Sequence, residues 1–370
     1  MLPSNNVLIT DEKGIIENII DETEAGDNVQ VLSGIISPGF INSHCHLELS
    51  HMKGLIPEGT GLVDFVSKIV ALRHFAEEEI LQAIKNGEDE MLANGIVAVG
   101  DICNNTLTIH QKKEQRLAYY NFIEASGWNP AIAAMRFEKS KEINAQYSML
   151  NAPYSINPHA PYSVSNELWN LLRENFFDKT ISIHNQETVF EDDLFKTGTG
   201  DFLRMYELMK IDNSSFKPTG KTSLQSYLEK MQEAKNILLV HNTFIGEDDI
   251  AFTKSPIQNH QSAIFFCLCP NANLYIESTM PPVDLLREKN CNIVLGTDSL
   301  ASNWSLSILD EIKTINKNFP LVPLEEMLKW ATINGAKALQ MDNKLGSFEK
   351  GKQPGIICLS NDLNNIKRLV

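Results

Sequence analysis

Two histidines stand two positions apart at the end of an apolar run in the segment SPGFINSHCHLELSHMKG, residues 37–54. Residues i and i+2 of a β-strand point to the same face, so this spacing places the imidazoles of His44 and His46 side by side. Imidazole is a common ligand of Zn²⁺ and related ions. The pair alone is only moderate evidence of a metal site, since single histidines at strand ends usually have a structural role.

Other apolar runs are followed by residues of the same chemical kind. These are His159 in NPHAPYS, His184 and Glu187 in SIHNQE, His241 in LVHN and Asp298 in GTDS. Each residue is weak evidence by itself. Their joint occurrence, at the ends of different predicted strands, indicates one shared site.

The residue types at these positions predict a particular metal chemistry. Three imidazoles and one carboxylate suit Zn²⁺, with Fe²⁺ or Mn²⁺ possible. We therefore expect one divalent metal, most suitably zinc, held by His44, His46, His184 and Asp298, with one position left for water. Such a metal lowers the pKa of its water towards ~7, so that hydroxide is available at neutral pH.

The remaining polar residues at the strand ends are predicted to handle protons and charge. Glu187 lies three residues beyond a predicted ligand and can act as general acid and base, first towards a ring nitrogen and then towards the leaving group. Asp298 can also take the proton of the water. His241 is expected to stabilise the attacking oxygen or to polarise the electrophile.

Eight apolar, β-type runs alternate with helical patterns and would position these residues. Near-continuous apolar strands alternating with helices predict an α/β fold with a parallel sheet buried on both faces, and eight strands close a (β/α)8 TIM barrel. A doubly wound open sheet is the alternative, but its glycine-rich first turn is missing. The runs span residues 39–44, 95–102, 116–125, 154–160, 180–187, 236–242, 263–270 and 292–299.

The two chain ends differ from the rest of the chain. Residues 1–38 and 345–370 carry short β-like pieces, and we expect them to pair into a small β domain beside a barrel domain of residues 39–344. A long connection after the fifth strand, residues 188–230, is expected to form a lid over the pocket.

Composition excludes several classes of function. The net charge of −15 argues against binding to a phosphate backbone, so no nucleic-acid partner is expected. The start of the chain does not resemble a signal peptide, and no apolar run approaches the ~20 residues of a membrane span. Scattered cysteines in apolar runs suit free thiols in a reducing compartment. These observations predict a cytoplasmic protein without a membrane partner.

Several other candidate residues are interpreted as structural. Cys267 and Cys269 lie in a strongly apolar run and are assigned to the core. Trp304 and Phe65 could line a pocket, although core packing is the preferred interpretation. Surface or structural roles are assigned to His51, His74, His110 and His260.

The motifs resemble the amidohydrolase superfamily, in particular its cytosine-deaminase-like branch with the S-adenosylhomocysteine and aminodeoxyfutalosine deaminases. The similarity extends over nearly the whole chain. Its motifs are PGFINSHCHLE, PHAPYSVS, HNQE, CPNANLYI, GTDSLASN and LGSFEKGKQPGIICL. Ala272 departs from the family pattern, which usually has serine there, but no predicted metal ligand is affected.

The resemblance implies a hydrolase that releases ammonia from an aminated heterocycle, with an adenine-containing, nucleoside-like small molecule as substrate. It implies one metal, because the segment YSINPHA lacks the bridging lysine of two-metal members. It further implies substrate contacts from His159 and Arg136, and a possible homodimer. A chlorohydrolase or amidase-type hydrolase of the same superfamily is the alternative, and a non-catalytic binding protein is a third hypothesis.

Overall fold

The computed structural model describes residues 2–255 and 262–370. Within these ranges no helix has both the length and the apolar character required to span a bilayer. The interpretation of His260 lies outside the described residues. All six cysteines are free.

The strands are numbered here in chain order. They are β1 Asn6–Thr10, β2 Ile16–Asp21, β3 Ile35–Pro38, β4 Phe40–Cys45, β5 Ile96–Cys103, β6 Ala118–Ala125, β7 Tyr154–Pro158, β8 Thr180–Asn185, β9 Asn236–His241, β10 Ala263–Leu268, β11 Asn292–Leu295, β12 Ile356–Leu359 and β13 Ile366–Arg368.

The α-helices of the described residues alternate with the central strands. They are α1 Leu62–Leu72, α2 Glu77–Ala93, α3 Ile109–Lys112, α4 Ala133–Tyr147, α5 Asn166–Arg173, α6 Phe190–Thr197, α7 Phe202–Leu208, α8 Ser223–Tyr227, α9 Glu247–Thr253, α10 Pro270–Glu277, α11 Val283–Glu288, α12 Ile308–Asn318, α13 Leu324–Lys329 and α14 Gly335–Ala338.

Strands β4 to β11 form the predicted TIM barrel. They lie in two parallel sheets, ordered β4-β5-β6-β7 and β8-β9-β10-β11. The backbone N–H groups of Thr297 and Asp298 donate to the carbonyl of His44 at 3.0 and 3.1 Å and join the last strand to the first. The N–H of His184 donates to the carbonyl of His159 at 3.0 Å and joins the two sheets on the other side.

The barrel strands are buried on both faces, as a parallel sheet covered by helices requires. In β9, Leu238 and Val240 belong to a buried cluster that also holds Ile41 and Phe122 of other barrel strands. Ile237 and Leu239 point to the opposite face and belong to the large cluster that includes the surrounding helices. Cys267 and Cys269 are fully buried with the first cluster, so their assignment to the core is confirmed.

Strands from both chain ends pair beside the barrel, as expected. The order β13-β12-β3 forms an antiparallel sheet, and β1 and β2 form a separate antiparallel hairpin. The domain boundaries at residues 38 and 345 stay a prediction.

The connection at residues 188–230 contains three helices, α6 to α8, and α7 packs against α1. The core assignment of Trp304 is wrong: 46% of this residue is exposed, and its indole N–H donates to Glu58. Phe65 is buried and also lines the central cavity. His74 and His110 are exposed, whereas the ring of His51 lies 3.1 Å from the carbonyl of Arg73.

Candidate active site

A cavity of about 600 Å³ opens at the carboxyl ends of the barrel strands, where TIM-barrel sites lie. Its inner wall carries most of the residues that the sequence predicted for chemistry. These are His46, His159, His184, Glu187, His241 and Asp298. His44 lies behind them and is fully buried.

The side chains of His44, His46 and Asp298 converge. The Nε2 atoms of His44 and His46 lie 3.5 and 3.3 Å from Oδ1 of Asp298. Neither ring nitrogen of His44 has a hydrogen-bond partner among the described residues. Buried polar groups are normally satisfied, so an orphaned imidazole beside a buried carboxylate fits a metal ligand.

His184 reaches the same point from the other sheet of the barrel. Its Nε2 lies 3.4 Å from Nε2 of His46, and its Nδ1 lies 2.7 Å from the carbonyl oxygen of His159. A carbonyl oxygen only accepts hydrogen bonds, so Nδ1 carries the proton and the lone pair of Nε2 faces His46. This is the orientation that metal-ligating histidines have in proteins.

His241 is held beside this cluster in a similar way. Its Nδ1 lies 2.9 Å from the amide oxygen of Asn273, which accepts the N–H. Its Nε2 therefore faces the cavity and lies 3.6 Å from Oε1 of Glu187. His44, His184 and His241 also form a group whose nitrogens lie close enough to share one ion.

The backbone is unusual where these side chains are presented. The φ angles of Gln186, His241 and Asp298 are +43°, +73° and +57°. Non-glycine residues rarely adopt this left-handed region, and such conformations concentrate at functional sites.

Burial shapes the charge state of the histidine cluster. It lowers the pKa of His46 to about 4 and lowers the pKa of His184 well below its ordinary value. Burial alone would raise the pKa of Asp298, but the contacts with His44 and His46 outweigh it and lower that pKa. Neutral imidazoles beside an ionised carboxylate are the protonation states that bind a divalent metal.

Glu187 has the opposite tendency. Burial raises its pKa well above the ordinary value, and the nearby carboxylates of Asp298 and Glu277 raise it further. A carboxyl group with a raised pKa retains its proton more readily, which favours the role of a general acid.

The outer half of the cavity is mostly apolar. It is formed largely by α1, by α7 and the residues that follow it, and by Trp128, whose ring stacks on Tyr206 with 5.3 Å between centroids. Cationic side chains contribute to its lining. The residues that line this half include Leu62, Phe65, Val66, Ile69, Trp128, Met205, Tyr206 and Met209, with the cations Arg73, Arg136 and Lys210.

Comparison with known proteins agrees with this geometry. A model of the amidohydrolase family matches residues 35–369. The chain belongs to the amidohydrolase family. The prediction drawn from its motifs is therefore confirmed, and this amidohydrolase is a metal-dependent hydrolase acting on C–N bonds.

Three similar proteins are named as deaminases. An adenosine deaminase of Helicobacter pylori is 28% identical over 329 residues, 87% of this chain and 78% of that protein. A 5-methylthioadenosine/S-adenosylhomocysteine deaminase of Thermoanaerobacter pseudethanolicus is 24% identical over 366 residues, 94% and 76% of the two chains. A crystal structure of H. pylori aminofutalosine deaminase with methylthio-coformycin has a TM-score of 0.78 at 24% identity, covers 96% and 87% of the chains, and supports the fold.

Both residues predicted to contact substrate line the cavity of this amidohydrolase. The Nδ1 of His159 lies 2.9 Å from the hydroxyl of Ser163, and the ring lies 4.8 Å from that of His184 between centroids. Arg136 lies on α4, is exposed, and forms no ion pair with the described residues.

Two buried carboxylates in the cavity wall were missed by the sequence reasoning. Oε2 of Glu48 accepts from the backbone N–H of Asn104 at 3.1 Å and of Asn105 at 3.2 Å, and Oε2 of Glu124 accepts from the amide of Asn104 at 3.0 Å. Burial raises their pKa values to about 7 for Glu48 and about 8 for Glu124. The position of Glu124 at the end of the third barrel strand is the signal that could have identified it.

Proposed function

We propose that this amidohydrolase deaminates the adenine ring of a 5′-substituted adenine nucleoside, of the S-adenosylhomocysteine, methylthioadenosine or aminodeoxyfutalosine type, and releases ammonia. The observation that carries this proposal is the cavity, which joins the histidine–aspartate cluster and Glu187 to an apolar outer half with cationic side chains. The names of the related deaminases support the same substrate class.

The residues that would hold the metal are His44, His46, His184 and Asp298. Their three imidazoles and one carboxylate suit one divalent ion, with zinc preferred over Fe²⁺ or Mn²⁺ by ligand type. When bound, such an ion would supply Lewis acidity and a water of lowered pKa. The Nδ1–H of His184 stays hydrogen-bonded to the carbonyl oxygen of His159 during the reaction, and this bond holds the ring in place.

The proton transfers are assigned to two carboxyl groups. Asp298 accepts the proton of the attacking water, while its Oδ2 accepts a 2.5 Å hydrogen bond from the hydroxyl of Ser302. Glu187 donates its proton to a nitrogen of the ring, takes up the proton that remains on the attacking oxygen, and passes it to the departing amino group; the proton held by Asp298 then restores Glu187. His241 is fixed by Asn273 with its Nε2 facing the cavity, and its assigned role of stabilising the oxygen that develops charge requires a second proton, on Nε2.

The wall beside the cluster suits the sugar of such a substrate. Oε1 of Glu48 has no hydrogen-bond partner among the described residues, and Oε1 of Glu124 lies 3.5 Å from Nδ1 of His184. Both oxygens can accept hydrogen bonds from hydroxyl groups. We assign the 2′- and 3′-hydroxyls to this pair, which places the 5′ substituent in the apolar half and its polar end near Arg136.

The test is ammonia release from zinc-loaded protein with adenosine, 5′-methylthioadenosine, S-adenosylhomocysteine, guanine, cytosine and an aminated pterin. We expect the highest kcat/KM with a 5′-substituted nucleoside and a lower value with its 2′-deoxy analogue. The His184→Ala variant should be inactive. Ammonia release from guanine or cytosine alone would contradict the proposed substrate.

A parallel measurement of chloride release from 6-chloropurine riboside separates the alternative chlorohydrolase. The presence of Glu187 disfavours that alternative, because chloride leaves without being protonated. Faster chloride release than ammonia release would favour it. A homodimer and a cytoplasmic location stay predictions, and light scattering of the purified protein tests the first.

A further inference from the structure

Gln186 occupies a constrained position directly before Glu187 and two residues after His184. It is 1% exposed, and its φ angle of +43° lies in the left-handed region. This conformation turns the chain sharply between the two functional side chains. An L-residue adopts it at an energetic cost, so the surrounding contacts must hold it.

Those contacts come from three acidic side chains, one backbone group and the amide of Asn185, whose Nδ2 donates to Oε1 of Gln186 at 3.3 Å. The backbone N–H of Gln186 donates to Oε1 of Glu191 at 3.0 Å, and its carbonyl accepts from the N–H of Phe244 at 3.0 Å. Its side-chain amide donates to Oδ2 of Asp249 at 2.6 Å and to Oδ1 of Asp192 at 3.2 Å. The residue is therefore held from both its backbone and its side chain.

The same carboxylates fasten the far end of the connection at residues 188–230. The hydroxyl of Ser223 donates to Glu191 at 2.6 Å, and the backbone N–H of Ser223 donates to Asp192 at 2.9 Å. The hydroxyl of Thr222 donates to Oδ1 of Asp249 at 2.5 Å. The beginning and the end of this connection thus meet at Gln186.

Asp249 depends on neutral donors. It is 3% exposed and accepts from Gln186, Thr222 and Gln225, and it forms no ion pair with the described residues. Removal of the Gln186 amide would leave one oxygen of a buried carboxylate without its partner. The local structure would rearrange to give that oxygen a new partner. Because Glu187 directly follows Gln186, such a rearrangement would move Glu187.

We propose that Gln186 is a positioning residue that holds Glu187 at the proton-transfer distance and couples it to the connection at residues 188–230. This inference rests on the acid–base role of Glu187 in the proposed function. A displacement of about 1 Å in a catalytic group can reduce the rate about 100-fold. Gln186→Met, which keeps the length of the side chain, should therefore lower kcat by about 10- to 100-fold and change KM by less than about 3-fold.

The decisive experiment is a double-mutant cycle with Gln186→Met and Glu187→Gln, measured as ammonia release in single-turnover assays with enzyme in excess. If Gln186 acts through Glu187, Gln186→Met should reduce the rate by less than about 3-fold once Glu187 is already Gln. The zinc content of every variant should remain that of the wild type, because the predicted ligands are unchanged.

The matched control is Asn236→Leu at the opposite end of the barrel. Asn236 is also a buried amide, and its Nδ2 donates to the carbonyls of Lys337 and Ala338 at 3.0 Å each. Asn236→Leu should lower Tm. It should change the rate by the same factor in the wild type and in the Glu187→Gln variant.

The outcomes separate the two proposals. An inactive wild-type protein would overturn the proposed function. An active wild type in which Gln186→Met costs the same factor in both backgrounds would overturn the positioning role. If Gln186→Met does not fold, Asp249→Asn replaces it in the cycle. Asp249→Asn removes the charge from the hydrogen bond between Asp249 and Gln186. We expect it to reduce kcat by less than Gln186→Met does, and to have no further effect when Glu187 is already Gln.

Discussion

The Nε2 atoms of His46 and His184 lie 3.4 Å apart, although the two residues are separated by 138 positions in the chain. Because the Nδ1 of His184 donates to a carbonyl, its Nε2 presents a lone pair to His46. The carboxylate of Asp298 and the fully buried ring of His44 lie beside this pair. An arrangement of electron-pair donors without matching protons is stabilised by a shared cation.

Metal removal should therefore abolish activity and reduce stability. Dialysis against a chelator is expected to eliminate ammonia release, and one equivalent of Zn²⁺ should restore it. Metal binding to the folded state alone should raise Tm with increasing zinc concentration. Elemental analysis and thermal unfolding check this, with His74→Ala as the control at an exposed histidine. Full activity in protein shown to lack metal would contradict the ligand assignment.

Glu187→Gln should separate proton transfer from binding. The amide keeps the size of the side chain but cannot donate an acidic proton, so kcat should fall by about 10²- to 10⁴-fold. Zinc content and the affinity for a non-reactive purine nucleoside should change little. Steady-state kinetics and equilibrium titration measure the two quantities. Unchanged turnover of every substrate would remove Glu187 from the mechanism.

Arg136→Met tests the polar end of the proposed substrate. The change removes a cavity-lining guanidinium that has no ion-pair partner in the described residues, while most of the aliphatic stem is retained. KM for S-adenosylhomocysteine should rise about 5- to 50-fold, corresponding to about 1–2 kcal/mol, and KM for 5′-methylthioadenosine should change little. Arg204→Met provides the control, because Arg204 pairs with Asp64 and Asp201 instead. An equal change in KM for both substrates would show that the polar end of S-adenosylhomocysteine does not contact Arg136.

Glu311 should make stability depend on pH. Burial raises its pKa to about 8, although the backbone N–H of Asn271 and the amide of Asn303 both donate to it. Because the folded-state pKa is the higher one, the contribution of this group to the free energy of unfolding is complete below about pH 4.5. It is lost as the pH rises towards about 8, by at most about 1.4 kcal/mol per pH unit.

The Glu311→Gln variant should accordingly show a flatter dependence on pH between 5 and 8 than the wild type. Urea unfolding of the metal-free proteins, followed by circular dichroism, gives the free energy of unfolding at each pH. Glu79→Gln at an exposed position of α2 is the control and should follow the wild type. Identical slopes for Glu311→Gln and the wild type would show that Glu311 is ionised in the folded state across this range.

Local rules were sufficient for the barrel strands and the inner half of the site. Alternation along a strand places His44 and His46 on one face whatever the rest of the fold does. Apolar runs separated by helical patterns were sufficient to predict strands β4 to β11, because burial on both faces leaves a continuous apolar signature. Polar residues at the carboxyl ends of such strands meet at one mouth in any barrel, so the joint occurrence of His184, His241 and Asp298 at strand ends was sufficient to identify them.

Tertiary structure alone decided the rest. Glu48 and Glu124 lie in the same cavity wall and are linked by Asn104, which follows β5. The backbone N–H of Asn104 donates to Glu48, and its side-chain amide donates to Glu124. The left-handed backbone of Gln186 depends on carboxylates of α6 and α9, and the half-exposed position of Trp304 beside Glu58 involves residues 246 positions apart in the chain. Residue types and their spacing along the chain thus determined which chemical groups reach the barrel mouth. The distances between those groups, and the shape of the cavity beyond them, depend on strand register and loop packing, which involve contacts between distant residues.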